Sequence, residues 1–219
     1  MNKASSVAAI CLVVGGCAAG KNYDYTLANI ELPFVGADAL GVAVVDRRPY
    51  VLSGDKQPEF VGAERGPWGV PFDVTTASGK SMAADMQAVL ARALESNGYK
   101  VTELFFSSPD NAVVAEAVTK NGAERNVVLT LNEWKTDVYV NLGLTYNVVL
   151  RVVDENSQVL AQTDAEATGE KIGVGELDPK AGLFVDIAKQ RSRDVAKVFE
   201  LKVSRLFNSP EIKEALNSE

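Results

Sequence analysis

LGLTYNVVLRVVDENS, residues 142–157, decides the fold. Leu142, Leu144, Tyr146, Val148, Leu150 and Val152 recur at every second position, with Asn147 and Arg151 between them. A strand sends alternate side chains to opposite faces, so this spacing predicts one buried face and one wet face, as in an antiparallel sheet. Asp154-Glu155-Asn156-Ser157 then supplies turn-forming side chains and predicts a hairpin into a last strand over 158–168. Val127, Leu129 and Leu131 alternate in the same way and predict a strand over 126–137. Three consecutive strands make a meander.

Upstream the period changes to that of a helix. Met82, Met86, Val89, Leu90, Ala93 and Leu94 share one face at spacings of three and four and predict a helix over 81–97. Ser78 or Ser81 can cap its start, and Asn97-Gly98 supplies a left-handed stop. A strand over 99–106 follows. Ser108-Pro109-Asp110 predicts the start of a second helix, with Ser as cap and Pro in the first turn. Val113, Val114, Ala117 and Val118 form its apolar face, and Asn121-Gly122 closes it. The compact apolar run Gly41-Val-Ala-Val-Val-Asp46 predicts a buried strand. Downstream, Leu183, Ile187, Val195, Val198, Phe199 and Leu206 stripe a long helix over 181–207, which carries a basic outer face with Lys189, Arg191, Arg193 and Lys197. The order is β-α-β-α-β-β-β-α, an α+β fold with a mixed sheet and helices packed on one face. The single domain spans 41–207, and Pro210 sets off a short, polar helical tail within the C-terminal 208–219. Glycines and prolines crowd 47–80, which reads as a long, specialised surface loop. A second glycine-bearing loop covers 169–180.

The first twenty residues differ from the rest. Lys3 precedes the charge-free stretch 4–14, too short to span a bilayer. Val14-Gly15-Gly16-Cys17 resembles the lipobox of bacterial lipoproteins. The resemblance implies a signal peptide over 1–16, lipidation of Cys17 and a lipid-anchored tether over 17–40. Ala18, where Asp would favour the inner membrane, implies the periplasmic face of the outer membrane. With Cys11 removed, the mature chain keeps no free thiol.

Composition excludes whole classes of chemistry. The 219 residues include no histidine, which removes Ser-His-Asp triads, Cys-His dyads and any His base. Two cysteines cannot build a four-cysteine zinc or iron–sulfur site. A net charge of −7 argues against nucleic acid as a partner. Gly79-Lys80-Ser81 lacks a phosphate-binding glycine five residues earlier, where Val74 stands, so no nucleotide is expected. No cofactor or metal is expected.

Asp46-Arg47-Arg48-Pro49-Tyr50 lies at the carboxyl end of the buried strand, where α/β sheets place binding groups. Arg47, Arg48, Tyr50, Arg65 and Trp68 are the candidate partner-binding side chains, suited to an acidic partner, a lipid headgroup or a glycan. The competing reading pairs Asp46 with one arginine to pin the loop. Trp134 and Tyr139 fit either an interface or the core.

The lipobox, the element order and Val44-Val45-Asp46-Arg47-Arg48 ahead of a Gly/Pro-rich loop together resemble the YajG type of bacterial lipoprotein. That resemblance implies location and fold more than a reaction. The expected role is a non-enzymatic, protein-binding accessory factor in cell-envelope assembly or maintenance, with an envelope protein as partner. One alternative is a binder of lipid or cell-wall fragments, with a cavity lined by Met86, Phe105 and Tyr146. Another is a carboxylate-based envelope hydrolase drawing on Asp46, Asp55, Glu59 and Glu64.

Overall fold

The computed structural model describes residues 21–66, 68–139, 141–172 and 187–217. Cys17 and the lipobox-like stretch 14–17, and Gly173, Gly175, Pro179 and Leu183 of the expected loop and helix start, lie outside them. The described strands are β1 (Lys21–Tyr23), β2 (Ala39–Asp46), β3 (Phe60–Arg65), β4 (Pro71–Thr76), β5 (Lys100–Glu103), β6 (Arg125–Val138), β7 (Leu142–Asp154) and β8 (Val159–Ile172). The helices are α1 (Pro49–Leu52), α2 (Met82–Ser96), α3 (Asn111–Asn121), α4 (Ile187–Phe207) and α5 (Pro210–Asn217). They form one mixed eight-stranded sheet with five helices packed on it, the α+β class that the alternating patterns predict.

Strand β6 is the axis of the sheet. One edge pairs antiparallel with β7 along its whole length, and β7 pairs antiparallel with β8. The other edge carries two parallel partners end to end: β2 beside the first half, with Asp46 at Leu131, then β3 beside the last residues, with Glu64 at Val138. Gly62 lets β3 approach closely. Its φ of +151° suits glycine, and a Cβ there would meet the Thr136 carbonyl at 2.2 Å. β5 pairs with β2, β4 with β3, and β1 with β4.

The main core lies between one face of the sheet and α2, α4 and α5. Leu40, Val42 and Val44 of β2 enter it beside Val127, Leu129 and Leu131 of β6 and Met82, Met86, Leu90 and Leu94 of α2. Phe199 of α4 sits edge-on to Tyr25 at 5.9 Å and to Trp134 at 5.7 Å. Trp134 is therefore core, and Tyr139 is half exposed. Ala43 and Val45 point the other way and pack with Val118 of α3, Val128 and Val153. Burial on both sides explains why β2 is an unbroken apolar run.

Three expectations change. Residues 21–40 do not hang free: Tyr23, Tyr25, Ala28, Ile30 and Phe34 are buried in the core, and Arg92 donates to the Thr26 and Ala28 carbonyls at 2.9 and 2.8 Å. Those residues obey no single period because the segment crosses the helices as a strap, filling one gap at a time. Residues 210–217 form the expected helical tail, but it docks on the core, since Ile212 and Leu216, one helical turn apart, are both buried. The stretch 47–80 is not one loop but α1 and the β3–β4 hairpin.

The caps match in part. Ser81 accepts from the Ala84 amide at 3.2 Å, as expected of an N-cap. At α3 the cap position is Asp110 rather than Ser108. Arg47 occupies the Pro109 carbonyl at 2.7 Å, the acceptor that an earlier helix start would use.

Candidate functional site

The site is built at the point where β2 stops. Strand alternation sends Asp46 and Arg48 toward the α2 side and Arg47 toward the α3 side. Arg48 has no exposed surface. Its Nε and one terminal nitrogen donate to the two Asp46 carboxylate oxygens at 2.8 and 2.7 Å. The same terminal nitrogen reaches the Pro58 carbonyl at 3.2 Å. The other donates to the Phe60 carbonyl at 2.5 Å and lies 3.7 Å from the Met82 sulfur. A guanidinium has five N–H groups, and all five have acceptors here. Burial works against its charge, but the Asp46 carboxylate outweighs burial and holds the proton more firmly than usual.

Arg48 thus cannot meet a partner and leaves the partner-facing set; it pins the chain between β2 and β3. Tyr50 belongs to the same framework. Its ring lies 5.5 Å from the Arg48 guanidinium carbon and edge-on to Phe60 at 5.5 Å. Its hydroxyl donates to Glu133 Oε1 at 2.6 Å, and burial, then this bond, push the phenol well above its ordinary range. Arg47, half-buried, holds the opposite wall through the Pro109 carbonyl and Asn111 Oδ1, the latter at 2.6 Å.

Those two walls enclose a crevice of about 340 Å³. Its origin is topological. From β2 the chain passes through α1 and the β3–β4 hairpin and comes back to β5 through α2 on one face; from β5 it passes to β6 through α3 on the other. Neighbouring strands whose connections leave toward opposite faces open a gap at their carboxyl ends. β5 also ends early. Beyond it, Gln87 of α2 takes the place of a strand: its Oε1 accepts from the Val44 amide at 2.9 Å, and its Nε2 donates to the Leu104 carbonyl at 3.3 Å. Val44, Ala84 and Pro109 line the gap, and Leu52 and Phe105 stand at its lip, 57% and 78% exposed. The lining is mostly apolar, with Ser107 and Ser108 beside it; the Ser108 hydroxyl donates to Asp110 at 2.7 Å.

Phe105 was expected inside a cavity with Met86 and Tyr146. Met86 and Tyr146 are instead buried in the filled core, and Phe105 is out at the crevice. The signal for the crevice was Phe105-Phe106 ahead of Ser107-Ser108-Pro109, an apolar pair placed after a strand and just before a turn. The other expected residues lie elsewhere. Arg65, at the end of β3, makes a two-pronged contact with Asp137 at 2.8 and 2.6 Å. Trp68, in the β3–β4 turn, is 93% exposed.

The four acids of the hydrolase reading have separate surroundings. Asp46 binds Arg48, Glu64 pairs with Lys21 and Arg191, Asp55 accepts from Ser53 in an exposed turn, and Glu59 is half-buried. Asp46 and Glu64 are each committed to an ion pair with a cation rather than paired with another acid. No helix among the described residues is long and apolar enough to cross a membrane.

No protein-family model matches the chain, and no curated protein matches it in sequence. Among solved structures the chain is similar to protein XCC0632 from Xanthomonas campestris, of the DUF330 family. That match has 10% identity and a TM-score of 0.46, over 86% of this chain and 93% of that one. It is similar to PelC from Paraburkholderia phytofirmans, a dodecamer, at 13% identity and a TM-score of 0.41, over 82% and 96%. It is similar to the lipoprotein GNA1162 from Neisseria meningitidis at 16% identity and a TM-score of 0.30, over 80% and 100%.

Proposed function

We propose that this chain is a non-enzymatic binding domain of the bacterial envelope, tethered through lipid on Cys17 at the periplasmic face of the outer membrane. In this reading the crevice at the ends of β2 and β5 receives an apolar segment of a partner protein in envelope assembly or maintenance. The crevice carries the reading. It is open and lined mainly by carbon, Ser107 stands beside it, and its volume is at the small end for ligand sites. A short peptide anchored by one or two large side chains fits that description. The tether rests on Val14-Gly15-Gly16-Cys17 and Ala18.

The test is a photo-crosslinking amino acid at position 105 in the full-length chain, in cells. Position 160 on β8, half exposed, is the control. A discrete protein adduct from 105, absent from 160 and lost when Ala84→Gln fills the crevice, is the expected result. Adducts to lipid alone would replace the protein partner with an acyl ligand. The same protein adduct from both positions would remove the crevice from the account.

A further inference from the structure

Four of the eleven exposed large apolar side chains among the described residues gather at one end of the sheet: Trp68, Val70, Phe72 and Tyr139. They belong to the β3–β4 hairpin and the β6–β7 turn. The Arg65–Asp137 pair fastens those two tips together, and Phe72 packs against Gly66. Exposure runs from 53% to 93%. An aromatic group this exposed costs free energy in water unless something covers it.

The path of β1 says what covers it. β1 runs parallel to β4, with Lys21 beside Val74, and β4 starts at the tip with Pro71. The amino-terminal side of Lys21 therefore faces the Trp68 end, and the Lys21–Glu64 ion pair holds it there. Cys17 precedes Lys21 by four residues. Consecutive Cα atoms are about 3.8 Å apart, so the two Cα atoms are within about 15 Å of each other. The tip begins three residues beyond Val74, roughly 10 Å along β4 at the rise of a strand. A lipid on Cys17 would thus enter the bilayer close to these side chains.

We infer that this hairpin end lies on the bilayer surface, with Trp68 and Tyr139 at the headgroup level. The inference rests on the proposed lipid on Cys17. Trp and Tyr favour this depth because an apolar ring carries a polar atom that stays wet. Acyl chains on Cys17 hold the protein at the bilayer, and added apolar contact at the hairpin end fixes the angle of the domain. The crevice is then set back from the membrane. It opens near Leu131 of β6, and the tip is at Val138, seven residues or roughly 23 Å farther along the strand.

The chain has two tryptophans, Trp68 at the tip and Trp134 in the core, so fluorescence separates them. The lipidated full-length protein is placed in phosphatidylethanolamine–phosphatidylglycerol vesicles with bromine on the upper part of the acyl chains. Wild type should show a blue shift and bromolipid quenching, and Trp68→Phe should lose most of that quenching. Trp68 is so exposed that the substitution leaves folding intact. Vesicle binding that depends on Cys17, with Trp68 still quenched by acrylamide and not by bromolipid, overturns the orientation and leaves the anchor standing. Binding unchanged by Cys17→Ala overturns the anchor, and the inference falls with it.

Discussion

Two Arg–Asp pairs, Arg48–Asp46 and Arg65–Asp137, have nearly the same geometry and opposite surroundings. Each arginine grips its carboxylate with Nε and a terminal nitrogen at 2.6–2.8 Å. The Arg48 side chain is wholly buried, whereas that of Arg65 is 40% exposed. A buried charge must find every hydrogen bond inside the protein, and Arg48 does so with carbonyls from Pro58 and Phe60 besides Asp46. Arg65 leaves its remaining needs to water and a contact with the Gly69 carbonyl at 3.5 Å. Geometry alone therefore does not rank the two; burial does.

The largest effect is expected at Arg48. Arg48→Ala leaves the Asp46 charge partly buried with its partner gone, and two carbonyls lose their donor. Breaking a buried pair in this way costs about 3–5 kcal/mol. Urea unfolding followed by circular dichroism should show a large fall in the midpoint. Arg48→Lys keeps the charge but loses the fork, and should recover only part of the loss. A midpoint within error of wild type for Arg48→Ala would end the distinction between the pairs.

How much of this was legible before the structure follows from the same residues. The buried strand 41–46 and the charged run at its end were visible, as was the chance that Asp46 pairs with one arginine. Which arginine it takes depends on Pro58, Phe60 and Met82. They come from the turn before β3, from β3 itself and from α2, so nothing local marks Arg48 as the buried one. The strap escaped for a similar reason: Tyr23, Tyr25 and Phe34 fill gaps between helices, and gap filling has no period. The helical tail at Pro210 was legible, because Pro suits a first helical position, but its docking was not: Ile212 and Leu216 are too few to mark a buried face in a polar segment. The meander and α2 were plain because one regular face supplied the signal. The crevice was not, because its walls meet only through topology.

The second effect uses alkali, and it belongs to the buried side of the contrast. Burial, then the Glu64 charge, push the Tyr23 phenol to about 12. Burial and the Glu133 bond raise Tyr50 as well. A raised folded-state value means that the native state keeps its proton where the unfolded chain has lost it. That stability is complete below about pH 10 and drains away as pH rises toward the folded value. For Tyr23 alone the loss is on the order of 2 kcal/mol across that window. Phenolate absorbance should therefore lag in the native protein and appear together with unfolding. Early titration of Tyr23 and Tyr50, with circular dichroism unchanged, would show that this region is wetter than described.

The smallest effect is expected at the exposed pair, and it appears in acid. The Arg65 hydrogen bond, slightly opposed by burial, holds the Asp137 carboxyl below its usual range. A lowered folded-state value adds stability above the unfolded value of about 3.9, and that stability is lost as pH falls through the folded one. Arg65→Ala should return Asp137 toward the ordinary value, visible as an upward shift of its carboxyl carbon titration. The urea midpoint at neutral pH should barely move, because water replaces the lost partner and salt already screens the pair. The two readouts have to separate: a clear shift at Asp137 with almost no change in global stability. If Arg65→Ala lowered the midpoint as far as Arg48→Ala, the exposed pair would be holding the hairpin tips against a real opening force. Burial would then no longer be what distinguishes two matching pairs.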